Sequence, residues 1–238
     1  MNAFARFDIK HLSPSSLNLW RDNPGIWALR YLKRIKDDGS PAMWRGSAVE
    51  DGLAAFLHGA TAHEACLKAE QAFLLNSQGE ANDEYELISP MVLECTKWKA
   101  PSALNATQLR VEYFFDDVPA PVMGYVDFAF DGVDVDLKTT KACPSTPRPE
   151  HVRQVSLYRA ARERKASLLY VTAKKHAAYD VTDEMFNGAL ADMHNDATSL
   201  YRFLGKFETA DEVIRCLPMD RDNFRFPKTI PLNELMFV

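Results

Sequence analysis

Residues 124–140, GYVDFAFDGVDVDLKTT, constrain the fold more than any other stretch of the 238-residue chain. Aromatic and β-branched residues alternate with acids on both sides of Asp131-Gly132, a two-residue turn signal whose positions both tolerate positive φ. A hairpin follows, and the turn sets its register: Ala129 faces Asp134, Phe128 faces Val135, Asp127 faces Asp136 and Tyr125 faces Lys138. Opposed residues of an antiparallel pair point the same way. One face is therefore apolar (Val126, Phe128, Phe130, Val133, Val135, Leu137), and the other gathers Tyr125, Asp127, Ala129, Asp134, Asp136 and Lys138.

Directly opposed aspartates lie about 5 Å apart and repel, at about 1 kcal/mol if exposed and more if buried. A cation between them reverses the sign. Mg²⁺ takes oxygen ligands, commonly one or two carboxylates together with waters and a substrate phosphate. Lys138, on the same face, suits an attacking water or the charge growing on a phosphate. Spacing alone leaves two readings of Asp127, Asp136 and Lys138: a metal seat, or the wet side of an ordinary hairpin. Asp131 is explained by the turn, and Asp134 is expected in solvent or behind the metal ligands.

Elsewhere the pattern alternates helical and extended segments. Ser13 followed by Pro14 is a helix start, because proline lacks only an N–H that has no partner there. Further helices are expected over 27–36, 45–58, 61–75 and from Ser89-Pro90 through Trp98. Alternation marks 108–115 (QLRVEYFF) as a strand. After the hairpin come a proline-containing loop, a helix over 150–165, strands at 167–175 and 176–181, and a long helix from Thr182 to about Lys206. The tail beyond Leu217, with Pro218, Pro227 and Pro231, reads as irregular. Helices, three strands, a helix, two strands and a helix describe one α/β domain with a central mixed sheet flanked by helices.

A net charge of −5 argues weakly against a polyanionic partner, but its distribution is uneven. Ten Lys/Arg and two acids between Lys138 and His176 give a local +8, leaving −13 elsewhere. A local positive track and a solvated charged helix both satisfy that pattern. Cys66, Cys95, Cys143 and Cys216 form no CxxC pair and are expected to be reduced. No stretch approaches the about 18 apolar residues of a membrane helix, and the N-terminus lacks secretory character, so an intracellular protein is expected.

The ordered set of motifs resembles the PD-(D/E)XK nuclease superfamily, specifically its RecB-like branch. GYVD followed by DLKTT is similar to that branch's Gly-x-x-Asp strand before an Asp-x-Lys strand. SPSSLNLWRDNP is similar to its N-terminal motif. RGSAVED resembles its Gly-x-x-x-His motif with Glu50 in the histidine position, an exchange also found in bacteriophage lambda-type exonucleases. QVSLY resembles the Gln-x-x-x-Tyr motif on the following helix. Together these motifs span residues 13–175.

The resemblance implies a restriction-endonuclease-like core and a role for each matching residue. Asp127, Asp136, the Leu137 carbonyl and Glu50 would hold one or two Mg²⁺ or Mn²⁺ ions, with Glu112 as an outer or second-metal group. Lys138 would serve the attacking water. Gln154 and Tyr158, four apart on one helix face, would approach the metal or the terminal nucleotides. Arg153, Arg159, Arg162, Lys141, Ser13, Ser15, Arg30 and Lys33 would meet DNA. It further implies a cytoplasmic phage-type exonuclease acting on double-stranded DNA ends, a single-strand annealing partner and, by analogy, a homotrimer.

Two departures bear on these expectations. Asn23 stands where the branch's first cysteine falls, and no cysteine triplet surrounds Cys216, so no iron–sulfur cluster is expected. No Gly-x-x-x-x-Gly-Lys sequence supplies a helicase motor. An endonuclease, an RNA-directed nuclease and a retired nucleic-acid-binding module remain open alternatives.

Overall fold

The computed structural model describes residues 2–35, 39–220 and 226. Its elements, in chain order, are α1 (Ala3–Arg6), α2 (Pro14–Asp22), α3 (Pro24–Tyr31), α4 (Pro41–Leu57), α5 (Ala62–Asn76), a 3-10 turn (Tyr85–Leu87) and α6 (Ile88–Cys95). Then follow β1 (Leu104–Tyr113), β2 (Val122–Phe130), β3 (Val133–Thr139), α7 (Pro149–Arg162), β4 (Lys165–Val171), β5 (His176–Asp180), α8 (Asp183–Leu204) and α9 (Ala210–Arg215). The architecture is α/β, with a mixed five-stranded sheet of order β1-β2-β3-β4-β5. The chain divides into two compact units, one of residues 39–111 and 125–186 and one of 1–38, 112–124 and 187–238.

The first of these holds most of the sheet. β2 and β3 pair antiparallel with Phe128 opposite Val135 and Ala129 opposite Asp134, the register that a two-residue turn requires. Only Gly132 takes positive φ, at +78°. Asp131 keeps negative φ, and its N–H donates to Ser102 Oγ at 3.0 Å. β3 and β4 run parallel, joined by the α7 crossover, and β4 pairs antiparallel with β5. Phe128, Phe130, Val135, Leu137, Leu169 and Val171 pack on one face of the sheet against Val49, Leu53, Phe73, Met91 and Val92 of α4, α5 and α6. Gly52 lets α4 approach its neighbours, since a Cβ there would lie 2.8 Å from Val92 Cγ2 and 3.0 Å from Ala69 Cβ.

Several boundaries differ from their expected positions, each for a local reason. α3 begins at Pro24 rather than Trp27 because Asn23 both ends α2 and caps α3, accepting from Ile26 N at 3.0 Å. It ends at Tyr31; the expected end near Asp37-Asp38 lies outside the described residues. Ser40, not a residue near Arg45, caps α4. Ser89 is no cap either: its hydroxyl donates to Glu70 Oε1 at 2.6 Å, and α6 starts one residue earlier behind the 3-10 turn. The 61–75 helix has its capping box from Thr61 and Glu64 as expected of such a start.

In the other unit, Ser13 caps α2 with a reciprocal Ser16 box. Trp20 meets Trp27 edge-on at 5.5 Å and Phe203 at 5.4 Å, while Arg21 Nε reaches Asp196 Oδ2 at 2.8 Å. Leu12 bridges Val122. Most of the proline-containing tail lies outside the described residues. Among the described residues no helix is long and apolar enough to cross a membrane, and all four cysteines are free thiols.

Candidate active site

The acid-bearing face of β3 is not wet. α7 covers it, and the contacts form a ladder: Lys138 Nζ donates to Gln154 Oε1 at 2.9 Å, Tyr158 Oη donates to Asp136 Oδ1 at 3.2 Å, and Arg162 Nε donates to Asp134 Oδ2 at 2.7 Å. Four residues advance a helix by about 6 Å, and two residues advance a strand by about 6.6 Å. An antiparallel helix carrying polar groups at 154, 158 and 162 therefore meets a strand carrying them at 138, 136 and 134, rung by rung. Asp134 and Asp136 are fully buried and Asp127 is 8% exposed. This corrects the solvated position expected for Asp134.

Asp127 comes from β2 and accepts from the backbone N–H of Leu137 through Oδ2 at 2.8 Å. Asp136 Oδ2 is paired with Lys138 Nζ at 2.7 Å. Glu50, from α4, is held by the side-chain amide of Gln108 on β1, and the same Nε2 lies 3.4 Å from Asp127 Oδ1. Four elements thus converge on three carboxylates and one ammonium.

Their electrostatics carry the mark of crowded acid. Burial, reinforced by the charges of Asp136 and Glu50, pushes the Asp127 carboxyl well above its usual range. Burial also raises Glu50, opposed by the Gln108 hydrogen bond and aided by Asp136. For Lys138, burial alone would favour the neutral amine, but the charges of Asp136 and Asp127 outweigh it and hold the ammonium. Burial and the same two aspartates push the Tyr158 phenol well up, so it stays a donor. Gln154 Nε2 completes the chain by donating to Tyr158 Oη at 2.6 Å.

Two site groups carry no signal in the motifs. Gln108 lies in a strand whose composition marks it only as an outward polar position. His151 shares the α7 face of Gln154 and Tyr158, with Nδ1 2.8 Å from the Tyr170 hydroxyl. Burial, with Lys138 and Arg148 nearby, pushes its pKa down to about 3, so the imidazole is neutral. The i, i+3, i+7 spacing from His151 to Tyr158 is the one clue that the sequence holds.

The arginines of α7 expected to meet DNA are engaged within the protein. Arg162 is spent on Asp134; Arg159 bonds the Val181 carbonyl at 3.1 Å, pairs with Asp183 and stacks on Phe186 at 4.4 Å; Arg153 is buried. The helix faces that would point these cations outward are instead the faces it packs. Lys141 is exposed, 3.4 Å from Glu84. Ser13, Ser15, Arg30, Lys33 and Glu112 belong to the other unit: Ser13 and Ser15 bond each other at 3.0 Å, and Lys33 pairs with Asp211.

Among the described residues no three or more His, Cys, Asp or Glu side chains stand grouped as a ready metal cage. The donor chemistry nonetheless fits a hard divalent ion. Three acids face one lysine, the buried Asp136 Oδ2 is met by that lysine alone, and a neutral amide spans two of the acids.

The sequence matches the PD-(D/E)XK nuclease superfamily over residues 11–226. Among solved structures, a Eubacterium rectale protein provisionally named an exonuclease aligns at TM-score 0.60 and 16% identity, over 95% of this chain and 92% of its own. The protein SSO0001 aligns at TM-score 0.37 and 17% identity, over 65% of this chain and 85% of its own. No curated protein matches significantly. The chain belongs to the PD-(D/E)XK nuclease superfamily.

Proposed function

We propose that this nuclease is a divalent-metal-dependent exonuclease of linear double-stranded DNA. The observation that carries the chemistry is the convergence of Glu50, Asp127 and Asp136 on Lys138 beneath α7. Asp127, Asp136, the Leu137 carbonyl and Glu50 would hold Mg²⁺ or Mn²⁺. When bound, such an ion lowers the pKa of a water and neutralises charge on the phosphate. Lys138, kept charged by its aspartates and oriented by Gln154, positions the attacking water and stabilises charge on the non-bridging oxygens. Tyr158 fixes the Asp136 carboxylate through its phenol.

The register also suggests where DNA lies. Because β3 and β4 run parallel, Lys141 and Arg148 in the loop after β3, and Lys174 and Lys175 in the loop after β4, leave the same sheet edge as Lys138. All four are exposed. In open α/β sheets ligands sit at the carboxyl ends of strands. These four cations, rather than the arginines of α7, are therefore the phosphate contacts of this reading. Arg164 and Lys165 stand at the opposite edge, where β4 begins.

The exonuclease assignment takes support from the name given to the Eubacterium rectale protein and from the lambda-type Glu50 motif. The phage-type pathway, an annealing-protein partner, a cytoplasmic setting and a trimeric assembly belong to the same reading. The test is to incubate end-labelled linear duplex, circular duplex, single-stranded DNA and RNA with Mg²⁺ or with EDTA. Metal-dependent loss of linear duplex alone is expected. Nicking of circles selects an endonuclease, cleavage of RNA an RNA-directed enzyme, and no cleavage of any substrate a retired binding module. Asp136→Asn should abolish cleavage while far-UV circular dichroism stays unchanged.

A further inference from the structure

Five non-glycine residues take positive φ among those described: Asp8, Arg34, Gln78, Gln108 and Glu163. Four of them follow the C-termini of α1, α3, α5 and α7, where a left-handed residue is the usual way to end a helix. Gln108 lies inside a strand, with φ +50°. A left-handed non-glycine residue persists only where its surroundings hold it there, and such kinks cluster at functional sites. Its side chain shows what the kink achieves. Nε2 donates to Glu50 and lies 3.4 Å from Asp127 Oδ1.

We infer that Gln108 is a positioning residue whose amide competes with a cation for the carboxylate oxygens of Glu50 and Asp127. This rests on the metal-dependent reading above. The amide has two N–H donors and so satisfies two carboxylates without adding charge. A cation needs the same oxygens and repels an N–H directed at its ligands. Each binding event therefore breaks the Gln108 contacts, and their strength is subtracted from the affinity. The kink lets an exposed, flexible side chain reach the acids from β1 and leave again without moving the strand.

The consequence is counter-intuitive for a polar group in such a site: removing it tightens metal binding. Hydrogen bonds of this kind correspond to a change in Kd of about five-fold. Gln108→Ala removes the amide and keeps the left-handed strain, whereas Gln108→Gly removes both. Mn²⁺ binding is measured by the loss of the free-ion electron paramagnetic resonance signal, without DNA, and thermal unfolding is followed in EDTA. Both variants should bind Mn²⁺ about five-fold more tightly than the unaltered chain, and the glycine variant should melt above the alanine variant.

An unchanged or weaker Kd in both variants overturns the inference, because Gln108 would then be a bystander or a ligand. Absence of Mn²⁺ binding by the unaltered chain overturns the metal reading and the inference with it. Loss of binding in Asp136→Asn, with unchanged binding in the Gln108 variants, overturns the inference alone. A glycine variant that melts no higher than the alanine variant overturns the assignment of strain.

Discussion

Replacing Arg162 by methionine tests whether α7 spends its arginines on the fold rather than on DNA. Asp134 is fully buried, its Oδ2 accepts from Arg162 Nε at 2.7 Å, and its Oδ1 has no partner. Burial already raises the Asp134 carboxyl above its ordinary 3.8, against the opposing charge of Arg162. Without the guanidinium, the buried charge keeps only the weaker influence of Arg164, and the group escapes by taking a proton. From an unfolded value of 3.8, protonation costs at most about 4 kcal/mol at pH 7 and about 1.6 kcal/mol at pH 5.

The sign follows from the raised value. An acid whose folded pKa exceeds its unfolded one costs nothing below the unfolded value, and its cost grows as pH rises through the window up to the folded value. In Arg162→Met that window extends upward, so the loss relative to the unaltered protein grows by up to about 1.4 kcal/mol per pH unit above the pKa that Asp134 has beside Arg162. Urea unfolding at pH 5 and pH 7 measures it directly. In thermal terms the pH 7 loss corresponds to at most about 10 °C for a chain of this size. Adding Asp134→Asn should remove the pH dependence. A loss below 1 kcal/mol, or one that is equal at the two pH values, refutes the reasoning. A variant of normal stability with a shallower salt dependence of DNA binding would return Arg162 to the phosphate role.

Three further outcomes are expected. Tyr158→Phe removes the donor to Asp136 and the acceptor of Gln154, so kcat should fall about ten-fold with KM little changed; steady-state kinetics on a linear duplex decides. Glu50→Gln removes a carboxyl that burial penalises and whose charge adds to the burial that raises Asp127, and should raise the melting temperature of the metal-free protein while lowering activity at least about ten-fold; calorimetry in EDTA and a cleavage assay read the two arms. Joint substitution of Lys141, Arg148, Lys174 and Lys175 by alanine should flatten the plot of log affinity against log salt by about one unit per cation removed. Binding to catalytically inactive Asp136→Asn protein measures the slope without cleavage.

How much of this was legible in the sequence depended on whether a residue's role is set by its own strand or by a neighbour distant in the chain. The hairpin register needed only the turn and the alternation, both local, and the paired residues Phe128 and Val135 stand where the turn puts them. The convergence of Glu50, Asp127, Asp136 and Lys138 was legible only through the ordered motifs, since nothing in periodicity brings α4 to β3. Asp134 and Arg162 show the limit. Each has an obvious solvated reading alone, and only the packing of α7 along β3 turns them into partners.

That same packing generates a rule that the sequence does contain. Polar groups two apart on a buried strand, 134, 136 and 138, demand polar groups four apart on the helix that covers it, and 162, 158 and 154 supply them. The motif Gln154-x-x-x-Tyr158 is two rungs of a three-rung ladder. Its middle and upper rungs end on the proposed metal ligand and on the lysine proposed to serve the water; its lowest ends on a carboxylate to which this reading gives no part in the chemistry. The ladder therefore separates chemistry from anchorage along one helix. Shifting α7 by a turn would pair Arg162 with Asp136 and place a permanent cation on the oxygens that a metal needs. The buried Asp134–Arg162 pair contributes little net stability as such a pair, but it makes that shift costly and so fixes the register on which the site depends.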